Sequence, residues 1–349
     1  MKKIIYLALM LSIFACSKND LIPSENGTMV NPKTKSTLTA QKVSSENGYL
    51  VVKDFQTLDS LISEVEKMTD LERLSWENKM NFESAYTRFS PYFDIFDKIT
   101  SERGLQEFKQ KYQHTIKITQ NGEDWDIDYP FNVENLELVL SQEGKIKVGS
   151  TLWLYKTDRK INIHDATKEK IEKYKDAKIS SATEGISVYY YQPSKFRYSR
   201  ESSAEQLIEY PNLPKKDKRS YYASLDILKR EYKNGSQINY RRYLALFQKG
   251  KKKKALGGYN VYKTTYYVVL FSIKGNNWSH ANPIKVTSSE HKGGIYHMIG
   301  YANGTNFPGF TIHMNHGTRG YTAAPQIDYT YSGSGNAIPV FEGDNSLGY

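Results

Sequence analysis

The feature that most limits the fold is a change of hydrophobic period along the chain. Between residues 49 and about 112 apolar side chains recur at helical spacing, whereas from residue 186 β-branched and aromatic runs follow one another, cut by Asn-Gly and Gly-Gly pairs. Phe55, Leu58, Leu61, Ile62, Val65 and Met68 predict one helix, and Thr69 with Glu72 predicts a capping box opening a second. Leu71, Leu74, Trp76 and Met80 would supply apolar bulk there, with a break before Pro91. Leu105, Phe108 and Tyr112 mark a third helical stretch. Residues 115–120 and 123–129 read as a hairpin about Asn121-Gly122, 132–140 as a short helix, and 145–148 with 151–155 as strands about Gly149-Ser150.

These patterns predict an α+β chain. A helix-rich α+β domain would span 49–165, a charged helical connector 166–185, an antiparallel sandwich-like β domain of seven short strands 186–325, and a poorly packed tail 326–349. No apolar stretch of about 18 residues follows the first fifteen, which excludes a polytopic helical membrane protein.

The start of the chain reads as an address. Lys2 and Lys3 precede an apolar segment from Ile4 to Phe14, and small Ala15 stands before Cys16, the chain's single cysteine, so 1–15 is expected to be a signal peptide. Ile13-Phe14-Ala15-Cys16 resembles a bacterial lipobox, and Ser17-Lys18-Asn19-Asp20 resembles the tract after the lipid-bearing cysteine of Bacteroidota surface lipoproteins. Together with Leu71-Glu72-x-x-Ser75-Trp76-Glu77 opening a helix, these stretches resemble uncharacterised surface lipoproteins of that group. The resemblance implies acylation of Cys16, a membrane partner held through that lipid, and display on the outer membrane; two chains suffice for stable anchoring. Residues 16–48, polar and interrupted by Pro23 and Pro32, then form a linker with a reach of roughly 30 Å.

The charge is concentrated. Of a net +10, segment 215–254 carries 14 Lys or Arg against 3 Asp or Glu. Lys251, Lys252, Lys253 and Lys254, expected as a loop between strands and flanked by Arg241, Arg242, Lys229 and Arg230, are candidate polyanion-binding residues whose contacts would weaken with salt. Lysines that keep a β-edge soluble explain the same run. Tyrosine dominates the aromatics, 28 against 14 Phe and 4 Trp. Adjacent tyrosines on a strand face opposite ways, so Tyr189, Tyr190, Tyr221 and Tyr222 are candidate ligand-binding residues, with half-buried sheet packing as the alternative.

Other constellations do not assemble. His280, His291, His297, His313 and His316 cluster, but His313 and His316 at a spacing of three fall on opposite faces of a strand, so no metal is expected. Asp124, Asp126 and Asp128 begin like a calcium loop, yet Tyr129 stands where the turn needs glycine; an amphipathic strand explains them. There is no nucleophile elbow, phosphate loop or dinucleotide fingerprint, so no catalytic residue and no cofactor are expected, and Ser289 with Lys292 lacks partner motifs. An exported chain without reader motifs is not expected to bind nucleic acid. The leading expectation is a lipid-anchored, non-enzymatic envelope protein binding an acidic glycan, lipopolysaccharide or a protein. The alternatives are an extracellular polymer hydrolase with carboxylates that leave no spacing rule, or a structural envelope component.

Overall fold

The computed structural model describes residues 43–121, 124–190, 200–209, 219–253, 259–261, 265–274, 279–280, 285–287, 294–303, 310–319, 327–333 and 340–343, with side chains for 43–120, 125–190, 228–250 and 294–303. The expected leader, Cys16 and nearly all of the linker lie outside the described residues. The chain mixes helix and sheet, helical early and sheet-rich later.

Its first sheet collects β1 (Val43–Glu46), β2 (Tyr49–Val52), β5 (Lys145–Val148), β6 (Thr151–Tyr155), β7 (Arg159–Ile163) and β8 (Ile186–Tyr190) in the order β1-β2-β5-β6-β7-β8. Pairing is antiparallel except between β2 and β5. Between those two strands run α1 (Phe55–Val65), α2 (Asp70–Met80), α3 (Ala85–Asp97), α4 (Glu102–Tyr112) and the hairpin β3 (Lys117–Asn121) with β4 (Asp124–Asp128). α1 buries the predicted stripe Phe55, Leu58, Leu61, Ile62 and Val65, and Thr69 and Glu72 form both halves of the capping box. Trp125, Ile127 and Tyr129 are buried as the amphipathic strand predicts. A short α5 (Lys168–Tyr174) supplies Ile171 and Tyr174 to a second apolar cluster built on Leu152, Leu154, Ile161 and Ile163.

Several expectations need correction. The helical region is broken before Pro91, at 81–84 between α2 and α3, but the proline is not the cause: α3 runs through it. Pro91 forfeits one helical bond, at about 3 kcal/mol, but Phe89, Phe93 and Phe96 on the buried face regain about 1.5–3 kcal/mol each. Leu71 and Leu74 are exposed, because α2 turns Arg73 and Glu77 inward; Arg73 stacks on Tyr86 at 4.4 Å and Glu77 accepts from Thr87 at 2.9 Å. Residues 132–140 form turns rather than a helix, since Glu134 (φ 41°) and Asn135 (φ 58°) are left-handed. The strand at 186, expected among those of the later β domain, belongs to the first sheet, paired with β7 through Arg159↔Tyr190 to Ile163↔Ile186.

The later strands are β9 (Arg200–Glu209), β10 (Arg219–Asn234), β11 (Gln237–Lys253), β12 (Tyr259–Val261), β13 (Thr265–Lys274), β14 (Ser279–His280), β15 (Lys285–Thr287), β16 (Gly294–Asn303), β17 (Phe310–Arg319), β18 (Ile327–Gly333) and β19 (Val340–Gly343). They form sheets ordered β14-β16-β11-β10-β9, with β12 on β11, and β15-β13-β17-β18-β19. The expected tail therefore contains two paired strands. The lysine run is not a loop: β11 continues to Lys253, paired with β10 as far as Lys252↔Arg219.

The long β10–β11 hairpin is joined to the first sheet where Gly149 turns β5 into β6. The Ser150 amide donates to the Lys233 carbonyl at 3.0 Å, and Trp153 Nε1 donates to the Glu231 carbonyl at 2.7 Å. Gly149 has φ +57°, and a Cβ there would stand 2.6 Å from the Lys233 oxygen and from Tyr232 Cδ2. Gly149→Ala should cost about 2–4 kcal/mol, from the left-handed penalty plus the clash. Urea unfolding checks this: a loss below half that range means the hairpin gives way without cost.

Candidate functional site

Among the described residues, a gathering of buried ionisable groups lies at this joint. The face of the first sheet that bears Trp153, Tyr155, Lys160, Asn162 and His164 meets the end of β10 carrying Lys229-Arg230-Glu231, and most of those side chains are sealed from solvent. Glu134, 0 % exposed and held at positive φ, presents its carboxylate to Tyr155 OH (3.2 Å) and to Lys160 Nζ (3.2 and 3.4 Å). A buried charged residue in that backbone region marks a conformation imposed by its surroundings. Lys160 Nζ also donates to the Lys229 carbonyl at 3.0 Å. Arg230 donates to the Glu134 carbonyl and to Asn135 Oδ1, both at 2.8 Å, and its guanidinium lies 4.7 Å from the Tyr243 ring centre. Tyr243 OH donates to Asp59 on α1 (3.1 Å), and Asp59 also pairs with Arg241 Nη1 at 2.7 Å.

Glu231 organises the other side. Its carboxylate accepts from Asn162 Nδ2 (3.1 Å) and Tyr189 OH (2.8 Å), and His164 Nε2 stands 3.4 Å away. Thr151 Oγ1 accepts the Lys233 amide at 2.8 Å and sits 2.9 Å from His164 Nδ1. The Glu231 carboxylate can only accept, so the His164 nitrogen that faces it, Nε2, carries a proton. Burial pushes the Glu231 carboxyl up, but hydrogen bonds from His164, Tyr189, Asn162 and Ser187 together outweigh it and hold the group at about 2. Burial pushes the Lys160 ammonium below its ordinary value against the pull of Glu134, and pushes the Tyr155 phenol well up.

Hydroxyl, imidazole and carboxylate follow one another here as in a nucleophilic relay. Thr151 is nevertheless wholly buried, and no substrate atom can reach its oxygen. The chemistry available is positional: a sealed set of charges fixing how β10 crosses the first sheet.

Of the residues singled out in the sequence, Tyr189 enters this site. Tyr190 lies on the opposite face of β8, half exposed, its hydroxyl donating to the Lys178 carbonyl at 3.0 Å with Arg159 5.9 Å from its ring centre. Tyr221 and Tyr222 occupy β10 positions opposite Gly250 and Lys249. Arg241 is engaged by Asp59 and by Asn303 Oδ1 (2.8 Å) and stacks 4.2 Å from the Tyr301 ring centre, and Arg242 is buried. Lys251, Lys252 and Lys253 sit in strand; Lys254 lies outside the described residues. Of the histidines, His297 is buried in β16, His280, His313 and His316 fall in β14 and β17, and His291 lies outside the described residues. Of Glu134, Lys160, His164, Arg230 and Glu231 the sequence marks only Arg230, as a cation flanking the lysine run; the other four carry no motif.

No family model matches the chain, and no curated protein does. Among solved structures, that of a DUF4848 family protein from Bacteroides thetaiotaomicron is similar over 81% of this chain and 96% of its own, at 13% identity and a TM-score of 0.28. A likeness that slight carries no argument about activity, which rests on the residues themselves.

Proposed function

We propose that the protein is a lipid-anchored component of the cell envelope, tethered to the outer membrane through Cys16, whose β-rich half binds polyanionic glycan such as lipopolysaccharide. In this reading the two later sheets pack as a sandwich and present the lysine-bearing end of β11. The observation that carries it is the register of that end. Lys251, Lys252 and Lys253 continue a paired strand, with Arg219 opposite Lys252 on one side and Asn260 and Tyr259 opposite Lys252 and Lys253 on the other. A backbone held in register on both sides loses less freedom on binding than a loop does. Lys249, by contrast, is engaged by Asp126 at 2.6 Å. The hydrolase alternative gains no support from Glu134 and Glu231 at the joint, which are sealed.

Full-length protein should bind lipopolysaccharide and acidic polysaccharides at low salt, about tenfold or more weaker at high salt, with a similar loss on replacing Lys251, Lys252 and Lys253 by serine. Mass spectrometry should find a lipidated Cys16 at the mature amino terminus. No binding at low salt, or a free thiol on a water-soluble protein, overturns the reading.

A further inference from the structure

A second binding site stands at the other end of the hairpin, on the rim of the buried joint. Lys229 of β10 holds its ammonium between two aromatic rings, 5.4 Å from the centre of Tyr189 on β8 and 5.1 Å from the centre of Tyr240 on β11. All three side chains are partly open to solvent. The carboxylate that would ordinarily neutralise such a lysine, Glu231 two residues along the same strand face, is already taken by Asn162, Tyr189 and His164. Among the described residues Lys229 has no ion pair. Ring faces attract the cation through their quadrupoles without consuming its N–H donors, so the ammonium is positioned while its three donors remain free.

The fork is also rigid. The Tyr189 hydroxyl is tied to Glu231 at 2.8 Å, and Lys160 lies 5.9 Å from the same ring centre. Tyr240 stands opposite Glu231 in the β10–β11 register, so three strands fix the geometry. A held cation beside a half-open tyrosine face suits one chemistry, a pyranose carrying a single carboxylate: the acid accepts from Lys229 and the sugar ring lies on Tyr240. We infer that Lys229, Tyr189 and Tyr240 form a subsite for an acidic sugar residue of the uronic acid type. The subsite is separate from the lysine row: Lys229 pairs with Arg242 and Arg219 with Lys252, positions about 33 Å apart along β11.

Calorimetric titration of the full-length protein with galacturonate tetrasaccharide and with an uncharged tetrasaccharide tests this. The acidic probe should bind and the neutral one bind at least about tenfold more weakly. Lys229→Met should lose about tenfold or more, Tyr240→Ala about fivefold, and Lys229→Arg should stay within about threefold of wild type, which separates loss of the cation from loss of fold. Serine at 251, 252 and 253 should leave this binding unchanged. Equal binding of the two probes, wild-type binding by Lys229→Met, failure of the acidic probe to bind, or its loss in the serine variant each overturns the inference; the last would leave the lysine row standing.

Discussion

Lys160→Met should destabilise the folded protein by about 3–5 kcal/mol, the cost of leaving a buried carboxylate without its cation. Glu134 has no exposed surface, and its carboxylate accepts from Tyr155 OH as well as from Lys160. Burial already pushes the Lys160 ammonium down, outweighing the pull of Glu134, so the pair is held against a desolvation penalty. The double variant Lys160→Met with Glu134→Gln, which carries no buried charge at either position, should therefore recover about 2 kcal/mol or more of the single variant's loss. Urea unfolding of both variants measures this. Additive losses would show that the two side chains act independently and that the joint is not an ion-paired unit.

Acid should loosen the same joint through Glu231. Its carboxyl sits at about 2 in the folded chain against an ordinary 4.5. The folded state thus binds fewer protons than the unfolded state between those values, so the contribution of Glu231 is complete above 4.5 and lost as pH falls toward 2. At 1.36 kcal/mol per unit the gap is worth about 3 kcal/mol. Glu231→Gln should be less stable than wild type at neutral pH, with the difference shrinking as pH falls through that window. Parallel stability curves for wild type and Glu231→Gln from about pH 5 to about pH 2 would falsify the assignment.

What could be read from sequence was local. The α1 stripe, the Thr69–Glu72 box and the strands on either side of Gly149 depend on neighbours within four residues or on one turn. Pro91 misled because the gain that overrides its missing bond comes from three phenylalanines packed on distant residues, Phe89 against Tyr129 and Phe131, and Phe96 against Phe108. Glu134 and Asn135 misled for a related reason: their positive φ is stabilised by Arg230, some 95 positions away. The lysine run looked like a loop because like charges disfavour a strand in isolation, and it is the 16-position register with β10 that carries it forward. The site was legible only through Tyr189 and through Arg230 and Arg241, marked as cations flanking the lysine run and not as members of a buried network. Its other members come from α1, the turns at 132–140, β6, β7 and the residue after it, β10 and β11, and no spacing rule links charges on segments so far apart in the chain.

The length of β11 has a mechanical consequence. Seventeen residues reach about 55 Å, with Arg241 secured to α1 near one end and Lys249 to β4 near the other. Its ladder bonds lie across the strand, so a pull along it loads them side by side in shear rather than peeling them in turn. A force applied at the lysine-bearing end would thus be shared over the whole hairpin and delivered to the helical part without first unzipping the sheet.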